Sequence, residues 1–123
     1  MNENIANTTF LQATNHFETA REELARPEED VVAYMVCNHA YKAVQHYLTA
    51  FLQSQGEQVH TANPLDALLN ACRQRDERFN ALDISALLQL QDPEDVWMNV
   101  DVARYHLELA AKARDLVQPT RAS

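Results

Sequence analysis

Glycine is almost absent from this sequence, because Gly56 is the only one in 123 residues. Turn-rich sheet proteins need many residues with positive φ, which glycine adopts most readily, so the composition disfavours a β-sandwich or β-barrel. The glycine-rich loops of P-loop and Rossmann proteins cannot form with one glycine. Alanine, leucine, glutamine, glutamate and arginine, which favour helices, are common instead. The composition therefore predicts an all-α protein.

Basic residues are also few. Ten Lys and Arg stand against 18 Asp and Glu, giving a formal net charge of −8. Since nonspecific nucleic-acid binding depends on cationic side chains that neutralise phosphates, this balance makes nucleic acid an unlikely partner. Arg73, Arg75 and Arg78 cluster, but Asp76 and Glu77 lie among them, which favours a solvated helix end.

Cysteine and long apolar runs are scarce as well. Cys37 and Cys72 are isolated and fall on predicted apolar faces, so we expect two buried reduced thiols and a cytoplasmic protein. No apolar run approaches 18 residues and no basic-then-apolar leader is present, so we expect neither membrane spanning nor secretion.

The positions of helix-capping and helix-ending residues predict a single domain over residues 1–123, with frayed ends at 1–7 and 118–123. It is an up-and-down bundle of four main helices plus one short helix. The first predicted helix spans residues 8–25, capped by Asn7 or Thr8, and the second spans 29–55 and is ended by Gly56. A third helix begins at Asn63–Asp66, with Asn63 as its cap, and the short helix 84–90 is capped by Asp83. The last helix begins at 92–95, is interrupted or re-capped at 99–101, and ends at 117.

The second predicted helix, Glu29–Gln55, carries an uneven polar face. Its apolar stripe comprises Ala33, Cys37, Ala40, Val44, Leu48 and Phe51. His39, Lys42 and His46 lie on the opposite side, where Glu and Lys pairs are more usual in a structural helix. We interpret these three, with His60 in the following loop, as candidate ligand-binding residues. The alternative is a solvated helix face without a ligand.

Metal binding has little support from the pattern. His39 and His46 share a face but lie roughly 10 Å apart along the axis, which is too far for one ion. No His-x-x-x-His, Glu-x-x-His or paired-cysteine motif occurs. The sequence therefore predicts no metal and no cofactor.

His106 lies at the edge of the apolar stripe of the last helix, two residues after Arg104. One interpretation is a histidine at the rim of the core, satisfied by one hydrogen bond. The functional interpretation places it in a cleft between helices, near His39 or His60. Nucleophilic catalysis has no support, since no serine has a recognisable base beside it.

The segment Tyr34–Leu52, followed by Gly56, His60 and Leu65–Leu69, resembles a HEPN domain, and Ala103–Val117 resembles the closing helix of that family. The resemblance implies a bundle of four to five helices that dimerises, often beside a nucleotidyltransferase. Many members are ribonucleases with an Arg followed after four to six residues by a His. None of the eight arginines here has a histidine in that window. The family's nuclease site is therefore not transferred, and no catalytic residue is assigned.

Three hypotheses follow. The leading one is a noncatalytic HEPN-like homodimer that binds a nucleotidyltransferase-type protein or a nucleotide-like ligand, with Lys42 as the anion contact. The second is a metal-independent endoribonuclease of a toxin–antitoxin or defence system, in which Arg104 and His106 act together across a dimer. The third is a purely structural bundle.

The dimer prediction depends on the apolar residues outside the main stripe of the second helix, because large exposed apolar patches mark interfaces. The predicted interface residues are Tyr34, Met35, Ala43, Tyr47 and Ala50.

Overall fold

The fold is all-helical throughout the part of the chain that the computed structural model describes, residues 2–59, 63–88 and 99–117. These described ranges contain five α-helices: α1 Asn2–Leu24, α2 Ala33–Ser54, α3 Leu65–Arg75, α4 Ser85–Leu88 and α5 Val100–Val117. Short 3-10 turns span Glu28–Asp30 and Glu77–Ala81. None of these described segments is a strand, and the prediction of four main helices and one short helix is confirmed.

Helix α1 begins at Asn2, earlier than the predicted start at residue 8. Its first turns are held by packing, because Ala6 is only 6% exposed. The hydroxyl of Thr9 also lies 2.7 Å from Oε1 of Gln53 in α2. Residues 118–123, the other predicted frayed end, lie outside the described residues.

Helix α2 begins at Ala33 and not at the predicted Glu29. The chain first makes the 3-10 turn, and Val32 is then extended, with φ −94° and ψ 95°. The backbone N–H of Val32 donates to a carboxylate oxygen of Glu23 at 2.9 Å. This bond from α1 replaces a local cap and fixes where α2 starts.

The end of α2 follows the prediction. Gly56 has φ 89°, the left-handed conformation that costs other residues energy. The N–H of Glu57 donates to Leu52 O and that of Gly56 to Gln53 O, each at 3.0 Å. These two bonds form a Schellman motif, which satisfies carbonyls that the helix end would otherwise leave unpaired.

The later helix starts agree with the prediction in two of three places. Asp83 Oδ1 accepts from the backbone N–H of Ser85 at 2.9 Å, so Asp83 caps the first turn of the short helix from the position before Ile84. Asn99 Oδ1 accepts from the N–H of Val102 at 2.8 Å, so a helix is capped at Asn99. At α3, Pro64 and not Asn63 occupies the N-cap position. The predicted start at 92–95, like positions 89 and 90, lies outside the described residues.

Helix α2 is the centre of the bundle, with α1 antiparallel beside it and α5 on another side. The main core joins residues from all five helices; its largest fully buried side chains include Tyr47, Leu48, Leu52, Leu65, Leu68, Phe79 and Leu87. A smaller cluster of Ala20, Val36, Cys37 and Ala103 shows that α2 and α5 begin at the same end of the bundle. None of the described helices is both long enough and apolar enough to cross a bilayer.

Most of the predicted dimer interface is inside the subunit, and that prediction is wrong for three of its five residues. Ala43 and Tyr47 are 0% exposed and Ala50 is 3% exposed. The reason is that α1 and α5 both pack on α2, so its wide apolar arc is covered within one chain. Tyr34 and Met35 are 51% and 40% exposed, and their role in a dimer stays a prediction.

Both cysteines are buried and free, as predicted. Burial raises the pKa of the Cys37 thiol to about 11 and that of Cys72 to about 12, with Glu57 adding to the second shift. Thiols with such pKa values are poor nucleophiles near neutral pH.

Candidate functional site

A line of polar side chains, here called the polar seam, follows the contact between α1 and α2. Its members are Thr9, His16 and Glu23 from α1 and His39, Lys42, His46 and Gln53 from α2. The α1 members recur every seven residues, as do His39, His46 and Gln53, so each set lies on one helix face. Because the helices run antiparallel, Thr9 lies beside Gln53 at one end of the seam and Glu23 lies beside the start of α2 at the other, with His16 between them.

The two ends of the seam are structural. At one end Thr9 contacts Gln53, and Nε2 of Gln53 donates to Val59 O at 3.2 Å. At the other end Glu23 accepts from the N–H of Val32 and pairs with Arg26 at 3.1 Å. These bonds fix the position of α1 along α2.

The middle of the seam gathers three imidazoles, here called the histidine cluster: His16, His39 and His46. Nδ1 of His16 lies 3.1 Å from Nδ1 of His39. The ring of His16 is 5.3 Å from that of His39 and 5.1 Å from that of His46, between centroids. All three are partly buried, and Lys42 lies beside them on α2. The structure thus brings the predicted residues His39, Lys42 and His46 together through His16, which sequence reasoning missed.

The hydrogen bonds restrict where the protons of the cluster are. In the His16–His39 pair one Nδ1 must carry a hydrogen and the other must accept it. Nδ1 of His46 lies 2.8 Å from Lys42 O, and since a carbonyl only accepts, this nitrogen is protonated. Neutral His46 therefore has its lone pair on Nε2.

The cluster disfavours additional positive charge. The pKa of His16 is lowered chiefly by burial, and further by the positive charges of His46, His39 and Lys42. The pKa of His39 is lowered by burial and by Lys42. No carboxylate of the described residues contributes to either shift. This is a locally basic site in an acidic chain, which an anion would complement.

Within the described part of the chain, no three His, Cys, Asp or Glu side chains are arranged to hold a metal ion. In the histidine cluster all three Nδ1 atoms already have hydrogen-bond partners. Nδ1 atoms of His16 and His39 bond each other, and Nδ1 of His46 is bonded to a carbonyl. His60, the fourth predicted ligand-binding residue, lies outside the described residues.

His106 is a buried structural residue, 2% exposed. Its Nδ1 lies 2.8 Å from Val102 O and its Nε2 lies 3.2 Å from Ala86 O, so it links α5 to α4. The interpretation as a core-rim histidine is confirmed, with two carbonyl contacts where one was expected. Arg104 is exposed and lies 3.7 Å from Asp101. The two side chains do not meet at a common accessible site within the subunit.

A second polar cleft, of about 310 Å³, lies between α3 and α4. Its cation, Arg73, donates to Leu82 O at 2.8 Å and to Phe79 O at 3.4 Å. The carboxylate of Asp83, also in the lining, accepts hydrogen bonds from the backbone N–H and the hydroxyl of Ser85. These charges hold the chain between α3 and α4 in place, so the cleft is a product of the fold.

Comparison with known proteins found no matching family model, no matching curated protein and no matching solved structure.

Proposed function

We propose that this protein is a noncatalytic helical-bundle binding module of the HEPN type, and that the histidine cluster with Lys42 binds an anionic, nucleotide-like ligand. The observation that carries the proposal is the convergence of His16, His39 and His46 beside Lys42 with no carboxylate contributing to the cluster's electrostatics. The resemblance of Tyr34–Leu52 and Ala103–Val117 to the HEPN family supports the same class.

The chemistry of the cluster matches a phosphate group better than a neutral ligand. Imidazole N–H groups and an ammonium group donate hydrogen bonds, and charge-assisted bonds to phosphate oxygens are strong. A positive charge on His39 is costly, since burial and then the charge of Lys42 lower its pKa. A bound anion removes that cost. Lys42 is accordingly the principal anion contact, with the histidines as hydrogen-bond partners.

Nothing in the described geometry favours the ribonuclease hypothesis. His106 is buried with both ring nitrogens near carbonyl oxygens, and Arg104 is exposed on another face of α5. RNA cleavage by the purified protein, abolished in both Arg104→Ala and His106→Ala, would restore that hypothesis.

The proposal includes a homodimer in the cytoplasm, with a nucleotidyltransferase-type protein as the partner that the family resemblance implies. The exposed side chains of Tyr34 and Met35 support an interface at the start of α2, and the two buried free thiols support a reducing compartment. Light scattering tests the dimer: Tyr34→Ser with Met35→Ser should give a monomer. Leu11→Ser, on a still more exposed apolar residue of α1, is the control and should not.

Titration calorimetry with AMP tests the ligand. The wild type should bind, and Lys42→Ala should weaken binding by about tenfold, the value of one charged hydrogen bond. Lys112→Ala removes an exposed lysine from α5 and is the matched control, which should bind as the wild type does. Absence of wild-type binding to AMP and to inorganic phosphate at millimolar concentration would contradict the proposed function.

A further inference from the structure

We infer that anion binding at the histidine cluster is coupled to the uptake of a proton by the His16–His39 pair, so that the ligand is held more tightly as the pH falls. The inference rests on the proposed function and concerns the regulation of the same site. The contact that carries it is the 3.1 Å distance between the two Nδ1 atoms.

The proton count follows from that contact. In the neutral pair, one ring has its hydrogen on Nδ1 and uses it in the shared bond. The other ring accepts at Nδ1 and carries its hydrogen on Nε2. One Nε2 therefore carries a hydrogen and can donate it to an anion. The other Nε2 carries only a lone pair, which repels an anion. A single proton added to that lone pair makes both Nε2 atoms donors and leaves the Nδ1 bond intact.

A second proton on the pair would have to go to the accepting Nδ1, and it would break the shared bond. The pair therefore takes up one proton without rearrangement. Among the described residues no side-chain nitrogen or oxygen is both fully buried and without a hydrogen-bond partner. The Nε2 atoms of His16 and His39 have no partner in the described structure, and both are therefore exposed to solvent. A ligand can thus approach the face where the added proton resides.

Among the described residues, the groups that shift the pKa of this pair are all basic. From α1 the site contains His16 itself, and from α2 it contains His39, His46 and Lys42. The nearest carboxylate along the seam, Glu23, is occupied by Arg26 and the N–H of Val32. On α5, Arg114 lies over the ring of Phe17, 4.8 Å from its centroid, and pairs with Asp115 at 3.1 Å. A bound anion would therefore offset the repulsion that the added proton meets from Lys42 and His46.

His46 is a built-in control for this assignment. Its Nδ1–H is occupied by Lys42 O, and it shares no proton with another ring. Replacing His46 removes a possible contact to the ligand but leaves the His16–His39 pair able to take up its proton. Replacing His16 by Gln removes the pair and keeps a polar side chain at that position.

Sulfate is the suitable probe, because its charge is constant between pH 6 and pH 8 and the pH dependence then belongs to the protein. The dissociation constant is measured by calorimetry at pH 6, 7 and 8. Linkage to one proton predicts that binding weakens by up to about tenfold per pH unit at the alkaline end. Calorimetry in two buffers with different ionisation enthalpies should show uptake of up to one proton per sulfate at pH 7.5.

The variants separate the possible results. His46→Gln should retain the pH slope even if its affinity is lower, and His16→Gln should lose most of the slope. Sulfate binding that is independent of pH, or that strengthens as the pH rises, would overturn the proton coupling while the proposed function stands. Absence of both sulfate and AMP binding at every pH would overturn the proposed function as well.

Discussion

Tyr47 provides a sharp test of how α2 is used, because sequence reasoning placed it at a dimer interface and the structure places it in the core. Its side chain is 0% exposed, its hydroxyl lies 3.0 Å from Oγ1 of Thr14, and its ring meets that of Phe10 edge-on at 5.0 Å. Removing the ring in Tyr47→Ala should cost about 3–5 kcal/mol of unfolding free energy, as for other buried aromatic residues.

Tyr47→Phe removes only the hydroxyl. Thr14 is partly exposed and can bond to water instead, so the cost should be about 1 kcal/mol, the net value of one hydrogen bond. In a chain of this size that corresponds to a fall in Tm of about 4 °C. Tyr34→Phe is the matched control on an exposed tyrosine of the same helix, and we expect no measurable change.

Urea unfolding gives the free energies, and thermal unfolding at several protein concentrations distinguishes core from interface. A core role predicts that the destabilisation is the same at every concentration. The reasoning is refuted if Tyr47→Ala costs less than about 1 kcal/mol, or if its effect disappears at low concentration as a lost subunit contact would.

Further predictions concern other described residues. Burial lowers the pKa of His16, so the unfolded chain binds a proton before the folded protein does as the pH falls below about 6.5. The folded protein should therefore lose stability on acidification, measured by thermal unfolding without added sulfate or phosphate. The dependence of Tm on pH should be shallower in His16→Gln. His106→Ala should cost about 1–3 kcal/mol in urea unfolding, since it removes a buried ring and its contact with Ala86 O, and a cost near zero would contradict the link to α4. Gly56→Ala should cost about 1–2 kcal/mol by the same assay, because φ is 89°. Cys37 and Cys72 should react with a thiol reagent only as fast as the protein opens, and rapid labelling of the folded protein would show that they are accessible.

Local signals in the sequence were sufficient for much of the fold. Gly56 ends α2 and Asp83 caps α4 because each acts on the backbone within a few residues, where sequence patterns are informative. The predicted start of α2 was wrong because the contact that fixes it comes from another helix. The N–H of Val32 donates to the carboxylate of Glu23, which lies nine residues earlier in α1. A helix start fixed by such a contact has no local signature.

The candidate site shows the same division. Helical spacing grouped His39, Lys42 and His46 on the side of α2 opposite its apolar stripe, but it treated that helix alone and did not show that α1 packs along that side. His16 was missed because it joins the site only through the antiparallel packing of α1. The signal was the seven-residue spacing of Thr9, His16 and Glu23, which matches the spacing on α2. Tyr47 was misplaced for a related reason, since one helix does not reveal how many neighbours cover it.

The most direct test of the central claim is the protonation of the histidine cluster, measured by imidazole ¹⁵N chemical shifts with and without sulfate. In the free protein at pH 7.5 we predict neutral rings for His16 and His39, with a hydrogen on Nδ1 of one and on Nε2 of the other. Saturating sulfate should shift this pair toward the protonated form. If His16 and His39 instead titrate independently near pH 6.5 and sulfate leaves their shifts unchanged, the cluster is not the binding site described here.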